Sequence, residues 1–536
     1  MKLARLQGAL SGPQLPGHLV ALFAGAFIPL ATAPMDVWPL AFIAPALWLF
    51  TLNSVTPGLA ALRGWIFGMG LFGTGASWVQ VSIYQFGGAS EALSIVLTLL
   101  FVAGLSLFTA LHGWLWRRWL KQAPILLTFP ALWVLMEAFR GWFLTGFPWL
   151  YLGTTQTDTW LANLAPVIGV NGVSGVIVLM SLLIARTIWL SFPTLEIRLP
   201  MGYRLTDLLP RPKRWIPPTA FIGILLAIVA IGQIQWTHPV GQPLTIGLVQ
   251  PDIPQEEKWD RRYLRDIVNR YWDLSRSIKP VDVLIWPETA LPLEEHQAYS
   301  VMAEALKQQA PHTTLITGTV SQSSTEGTTR RFRNTVITAN YDQKLNIQGH
   351  YFKNKLVPFG EYVPLESMLR GLIRFFDLPM SSFIPGPADQ PLLAVDNTLM
   401  APLICYEVAY SGYAARQAQG AQWLLTVSND SWFGRSAGPL QHFQIARFRA
   451  LEAAKPLVRV TNNGMTAVIN PEGQVDMALP RFEAKVRKTL LQPYQGMTPY
   501  SRWGAYPVYL ISALLILWGW RQRLRATLAP AEDKAN

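Results

Sequence analysis

The chain contains a single cysteine, Cys405, which ends the apolar run "MAPLIC" and is followed by Tyr406 and Glu407. One thiol closes no intrachain disulfide and is too few for a multi-cysteine metal site, so no metal is expected there. Three uses remain for it: an inert core residue, an intermolecular bridge or a nucleophile. Two other chemistry-bearing groups stand in comparable places. "VDVLIWPE" is apolar up to Trp286 and then presents Glu288 after a turn proline, while "HYFKNKLVPFGEYVP" carries Lys353 and, eight residues later, Glu361. Taken singly each has a plainer reading, with Glu288 as a solvated loop residue, Lys353 as a surface charge and Cys405 as core. Together, a carboxylate, an ammonium and a thiol form a set able to carry nucleophilic chemistry.

Positioning such a set needs short strands, and the sequence supplies them. "LTIGLVQ" (244–250), "VDVLIW" (281–286), "TTLITGTV" (313–320), "NTVITAN" (334–340), "MAPLIC" (400–405), "QWLLTVS" (422–428) and "PLVRVTN" (456–462) are short and rich in β-branched residues. Helix-like stretches lie between several of them, notably "LQHFQIARFRALEAA" (440–454), with apolar residues at intervals of three and four. Continuous apolarity in the strands predicts an α/β domain with buried sheets, whose reactive groups collect past the carboxyl ends of the strands. "SQSSTEGTTR" (321–330) reads as an exposed loop.

The rest of the chain is of another kind. With 51% hydrophobic and only 14% charged residues, the protein reads as a membrane protein. Apolar runs at 19–34, 37–52, 64–84, 92–114, 125–140, 166–190, 216–235 and 506–520 predict eight helical spans, the first two short and broken by proline. The first run follows Lys2 and Arg5 but lacks a small-residue cleavage site, so it is expected to remain as a span. The net charge of +12 does not point to nucleic acid. Lys and Arg concentrate in the tails and in the connections after the second, fourth and sixth runs, as in "RRWLK" (117–121), whereas 85–92 and 143–166 carry none. By the positive-inside rule both termini are cytoplasmic and the strand-rich segment lies on the other side. The expected organisation is a membrane domain over 1–235 with seven spans, an extracytoplasmic domain over 236–504, and an eighth span with a cytoplasmic tail over 505–536.

The ordered motifs "WPE", "FKNKLVPFGEYVP" and "LICYE", followed by "SNDSWFG" and "TNNGMTAVINPEG", resemble the nitrilase or carbon-nitrogen hydrolase superfamily. Combined with the apolar spans, "GFPWL" (146–150) and "QPDIPQEEKWD" (250–260), they make the chain similar to the membrane branch of that superfamily, the bacterial apolipoprotein N-acyltransferases. Lys355 stands where many relatives would carry histidine. The resemblance implies an αββα sandwich with a Glu288, Lys353, Cys405 triad. Glu288 would be general base and Lys353 oxyanion stabiliser, assisted by a backbone N–H near Tyr406; Glu361 and Glu407 would hold Lys353 and the incoming amine. It also implies a ping-pong reaction in which a membrane phospholipid acylates Cys405 and the N-terminal amine of a diacylated apolipoprotein takes the acyl chain. No cofactor is needed, and the setting would be a bacterial inner membrane.

Other residues carry weaker expectations. Trp149 in "GFPWL" and Trp259 in "EEKWD" are singled out for lipid contact, as are Leu372, Phe375 and Phe376, which would form a lip admitting acyl chains. Glu137 and Arg140, one helical turn apart, read as a structural couple, and His442 as a capping or packing residue. Two rival functions stand beside acyl transfer. One is a tethered amidase or nitrilase using water; the other is a transporter or receptor, which would favour repeated halves or more ionisable groups within the spans.

Overall fold

The computed structural model of the chain describes residues 14–191, 216–326, 329–362 and 383–528. These fall into two compact units, one comprising the described residues within 1–80, 91–234 and 505–536, the other those within 81–90 and 235–504.

Every predicted apolar run is helical, and all but residues 81–85 lie in the first unit: Leu15–Leu30, Leu40–Thr51, Pro57–Gly75 with Val79–Gln85, Glu91–Leu115, Ile125–Trp142, Ala165–Ser191, Ile216–Gly232 and Tyr506–Leu528. The expectation of eight spans is nevertheless corrected. Among the described residues only Glu91–Leu120, Ile125–Thr145 and Trp160–Ile188 are each long and apolar enough to cross a membrane, with a fourth if Pro57–Gly75 and Val79–Gln85, bent by 59°, count as one. The reason is length and composition. Leu15–Leu30 and Leu40–Thr51 have 16 and 12 residues with an internal proline in each, short of the roughly 20 residues a bilayer requires. Tyr506–Leu528 changes character at Arg521, Arg523 and Arg525.

Packing in this unit depends on small residues where helices cross. Gly25 faces the backbone of Phe67, and Gly70 faces that of Leu22, so a Cβ at either would overlap main chain and force Leu15–Leu30 and Pro57–Gly75 apart. Trp48 stacks on Phe67 at 4.3 Å and meets Trp133 edge-on at 5.5 Å, filling the space beside them. Glu137 and Arg140 direct their hydrogen bonds to the chain that follows their helix. Glu137 Oε1 accepts from Leu152 N at 2.9 Å and from Trp133 Nε1 at 3.0 Å, while Arg140 donates to the carbonyls of Phe147 and Trp149. The pair therefore clamps "GFPWL".

The second unit contains two six-stranded sheets. Their strands are β2 (Leu244–Gln250), β3 (Val283–Ile285), β4 (Thr314–Glu326), β5 (Thr329–Asp342), β6 (Lys344–Phe352), β7 (Leu393–Val395), β8 (Thr398–Ile404), β9 (Trp423–Ser428), β10 (Leu457–Thr461), β11 (Ala467–Ile469), β12 (Val475–Ala478) and β13 (Lys485–Leu491). One sheet has the order β13-β2-β3-β4-β5-β6 and the other β12-β11-β10-β9-β8-β7; β1 (Thr237–Pro239) and β14 (Tyr494–Gly496) form a small ribbon. The sheets meet through one apolar layer, with Ile246, Ile285, Ile316 and Val336 from the first against Ile404, Leu425, Val427 and Val460 from the second. The outer face of the first sheet is covered by helices Leu264–Arg276 and Glu295–Lys307 through Ile267, Tyr271, Ala298 and Met302. Helix Gly438–Ala453 packs on the second sheet at β10, completing four layers. The loop expected at 321–330 is largely strand instead. Ser321 pairs with Arg333 and Ser323 with Arg331 in the antiparallel ladder of β4 and β5, where backbone pairing outweighs polar side chains.

Candidate active site at the strand ends

Three strand ends bring the predicted triad together. The chain leaves β3 through Trp286 and Pro287 to reach Glu288, β6 ends one residue before Lys353, and β8 ends one residue before Cys405. Cys405 sits at a sharp strand-to-helix transition with φ of 51°, and a 3-10 turn, Cys405–Ala409, follows. A left-handed conformation at a non-glycine residue is costly, and such strain persists only where the surrounding structure fixes it.

Lys353 is the electrostatic centre of the site. Its Nζ lies 2.9 Å from Glu361 Oε1 and 3.2 Å from Glu288 Oε1, with all three side chains buried. Asn334 Nδ2, from β5, donates to the same two oxygens at 2.7 Å for Glu288 and 3.2 Å for Glu361. The backbone N–H of Asn429, at the end of β9, donates to Glu288 Oε2 at 2.9 Å, so this carboxylate is held from both sheets. Burial disfavours its charge, but Lys353, Asn334 and Lys258 outweigh that penalty and keep it below the usual carboxylate range. For Lys353 burial opposes the ammonium, yet Glu288 and Glu361 lift its pKa well above the ordinary value. The thiol behaves oppositely. Burial, reinforced by the Glu288 charge and only partly opposed by Lys353, pushes Cys405 up to about 12. The resting site is thus a neutral thiol beside an ionised base and a fixed cation.

The remaining expected residues are placed as follows. Glu361 fixes Lys353, with its second oxygen accepting from Val357 N at 2.8 Å. Glu407 is turned toward the backbone: it accepts from Asn354 N and Ile404 N at 2.7 Å each, from Lys355 N at 3.1 Å and from the Tyr351 hydroxyl at 2.9 Å. It therefore ties the segment after Lys353 to the end of β8. Burial raises its pKa to about 7 despite these donors. Tyr406 packs edge-on against Tyr410, and Lys355 lies over the rings of Tyr410 and Tyr413. Trp259 is 41% exposed, whereas Trp149, in the first unit, is buried against Trp78. Leu372, Phe375 and Phe376 lie outside the described residues.

Two features escaped the sequence reading. Lys258 is 2% exposed and donates from Nζ to the Glu288 carbonyl at 3.2 Å; burial lowers its pKa to about 8. Its position between Glu257 and Trp259 gives no sign of this. Behind Cys405 stands a second polar group. Ser428 Oγ lies 3.4 Å from Cys405 Sγ and donates to Asp430 Oδ1 at 2.8 Å, and Arg459 Nη2 donates to Asp430 Oδ2 at 2.8 Å. His442, from the second turn of helix Gly438–Ala453, closes this network on the Cys405 carbonyl.

Comparison with known proteins agrees with this architecture. Residues 24–183 match the model of the apolipoprotein N-acyltransferase N-terminal domain, and residues 245–494 match that of the carbon-nitrogen hydrolases. An apolipoprotein N-acyltransferase of Pseudomonas putida is 44% identical over 521 residues, covering 95% of this chain and 97% of that one. Its namesake in Azotobacter vinelandii is 43% identical over 535 residues, covering 97% and 98%, and that of Vibrio parahaemolyticus 36% identical over 519 residues, covering 95% and 97%. An apolar helical unit and a two-sheet hydrolase unit matched in one continuous chain, at this identity and coverage, mean that the protein belongs to the apolipoprotein N-acyltransferase family of enzymes.

Proposed function

We propose that the enzyme transfers an acyl chain from a membrane phospholipid to the N-terminal amine of a diacylglyceryl-cysteine apolipoprotein, through a thioester on Cys405. The observation that carries the chemistry is the buried Lys353 ammonium held between Glu288 and Glu361 beside the only thiol. In the first half-reaction Sγ bonds to the ester carbonyl carbon while its proton passes to Glu288. With the thiol pushed up to about 12, attack and proton transfer proceed together, since a free thiolate is scarce at neutral pH. Lys353 faces the oxyanion, with a backbone N–H near Tyr406 assisting. The ester C–O bond then breaks, and Glu288 returns its proton to the departing lysophospholipid. In the second half-reaction the acceptor nitrogen bonds to the thioester carbon, the C–S bond breaks, and the amine proton passes by way of Glu288 back to the sulfur. Glu361 and Glu407 act as positioning groups for Lys353 and the Cys405 turn.

The remaining assignments belong to the same reading. The multi-pass chain resides in a bacterial inner membrane, with the second unit periplasmic; the charge distribution of the connections supports this sidedness. Trp259, which is 41% exposed, contacts lipid.

The test is the intact mass of purified protein after incubation with phospholipid alone. An acyl-sized increase is expected, absent in Cys405→Ser and discharged by a diacylated lipopeptide with amide formation. Discharge to water at the same rate without lipopeptide would instead establish the amidase-like alternative.

A further inference from the structure

A second polar site lies in the first unit. A cavity of about 320 Å³ is lined by Ser54, Thr56, Arg117, Arg118, Lys121 and Arg523, together with Val55 and Pro57. Its volume falls at the lower end of ligand sites, which span roughly 300–1,000 Å³. Among the described residues its lining includes four cations and no carboxylate. The cations come from separate parts of the chain: Arg117 and Arg118 from the π-helical turn Trp116–Leu120, Lys121 just after it, and Arg523 from Tyr506–Leu528.

Positive-inside bias explains why cations gather at the ends of apolar helices, but not why they face one hollow, where like charges repel. Two of them are anchored in that hollow by carbonyl oxygens: Arg117 Nε donates to Val55 O at 2.8 Å, and Arg523 to Arg118 O. These bonds orient the guanidinium groups. The surroundings mark an interface between apolar and aqueous surface. Trp114 and Trp119 meet at 5.4 Å with Trp119 well exposed, and Leu514, Leu517 and Trp518 expose an apolar surface on the helix that delivers Arg523.

We propose that this cavity binds a phosphate group, as carried by the headgroup of an anionic phospholipid or by free inorganic phosphate. Arg forks and a Lys ammonium are suited to phosphate oxygens, and Ser54 and Thr56 add hydroxyl donors to the same wall. The bound anion relieves the repulsion among the four cations and links the turn after Glu91–Leu115 to the final helix. This site is independent of the acyl-transfer reading, because none of its residues belongs to the triad or its supports.

The experiment uses full-length protein in lipid nanodiscs, comparing discs of phosphatidylcholine, discs containing phosphatidylglycerol, and phosphatidylcholine discs with added inorganic phosphate. Bound lipid is counted by native mass spectrometry and thermal unfolding is followed in parallel. The variant is Arg118→Gln with Lys121→Gln, both exposed; the charge-matched control is Arg331→Gln with Lys344→Gln in the second unit. Since each basic residue near an anionic surface contributes about fivefold, the first variant should bind phosphatidylglycerol roughly thirtyfold more weakly, and the control should match wild type. Stabilisation by phosphatidylglycerol alone identifies the lipid as the source, and stabilisation by phosphate in neutral discs identifies the free anion. Either result, lost in the variant and kept in the control, supports the site. Equal binding in wild type and variant, or no response to any phosphate, overturns it.

Discussion

His442 Nε2 lies 3.1 Å from the carbonyl oxygen of Cys405. A carbonyl only accepts, so Nε2 carries the proton. On the other side of the ring, Nδ1 lies 3.0 Å from Arg459 Nη2, which only donates, and 3.4 Å from Asp430 Oδ1, which only accepts; the shorter contact, with Arg459, leaves Nδ1 its lone pair and the imidazole neutral. Burial and the Arg459 charge both hold its pKa below the ordinary histidine value, in agreement with that tautomer. Arg459 thus serves Asp430 and His442 at once, and the histidine fixes the backbone that presents the thiol rather than deprotonating it.

Replacing this donor should therefore slow acylation without moving the pH profile. His442→Leu leaves the Cys405 carbonyl without its partner, a loss of about 1–3 kcal/mol, or roughly 5–150-fold in thioester formation. His442→Gln, which retains an N–H, should recover much of the rate. A profile that loses an ionisation near neutral pH in His442→Leu would instead make the histidine a titrating base.

Lys353→Met should abolish detectable thioester, by at least the roughly hundredfold expected for loss of an oxyanion partner. It should also destabilise the second unit, because Glu288 and Glu361 would remain buried without their shared cation; breaking such a group costs about 3–5 kcal/mol. Thermal unfolding of the solubilised protein and a single-turnover acylation assay separate the two effects. Normal acyl-enzyme formation followed by failed amine transfer would contradict the oxyanion role.

Asn334→Leu removes the donor shared by Glu288 and Glu361. Losing a hydrogen bond to the charged form raises a carboxylate pKa, so the acid limb of the acylation profile should move upward from its depressed position. Stability should move in the same sense. A carboxylate with a depressed folded pKa stabilises above its unfolded value near 4.5, and that contribution fades as pH falls through the folded pKa. The variant should therefore lose stability at neutral pH and show a weaker acid dependence. An unchanged acid limb would show that Asn334 does not tune Glu288.

Lys258 makes the opposite prediction. Its pKa falls from 10.5 to about 8 on folding, so between those values the unfolded chain binds a proton that the folded chain does not, and stability rises with pH. Below about pH 8 the buried ammonium opposes folding by about 3 kcal/mol. Lys258→Met should flatten the rise between pH 8 and 10.5 and raise the unfolding temperature at pH 7. A wild-type curve already flat over that window would contradict this account.

Glu288 and Cys405 were legible because each follows a short apolar run that folds as a strand, "VLI" before Glu288 and "TLMAPLI" before Cys405, whereas Lys353 follows the polar strand "KLNIQGHYF" and joined them only through the motif resemblance. The extent of β4 and β5 was hidden, since Ser, Thr and Arg give no apolar signal and only pairing across the hairpin makes those residues strands. The network of Ser428, Asp430, His442 and Arg459 was hidden for a different reason: β9, a helix and β10 bring its members together, and no spacing along the chain encodes that meeting. The span count failed where hydropathy was right but length was not, as in the 12 residues of Leu40–Thr51.

The ten residues 81–90 belong to the second unit although they are encoded between two apolar helices of the first. Phe86 packs edge-on against Trp432 at 5.2 Å, and Val81 lies against Gly434. During synthesis this piece emerges well before β2, so it must wait for the strands and turns it will join. Excising 235–504 as a free-standing protein would omit it and leave Trp432 without that aromatic neighbour, so the hydrolase unit is completed only within the full-length chain.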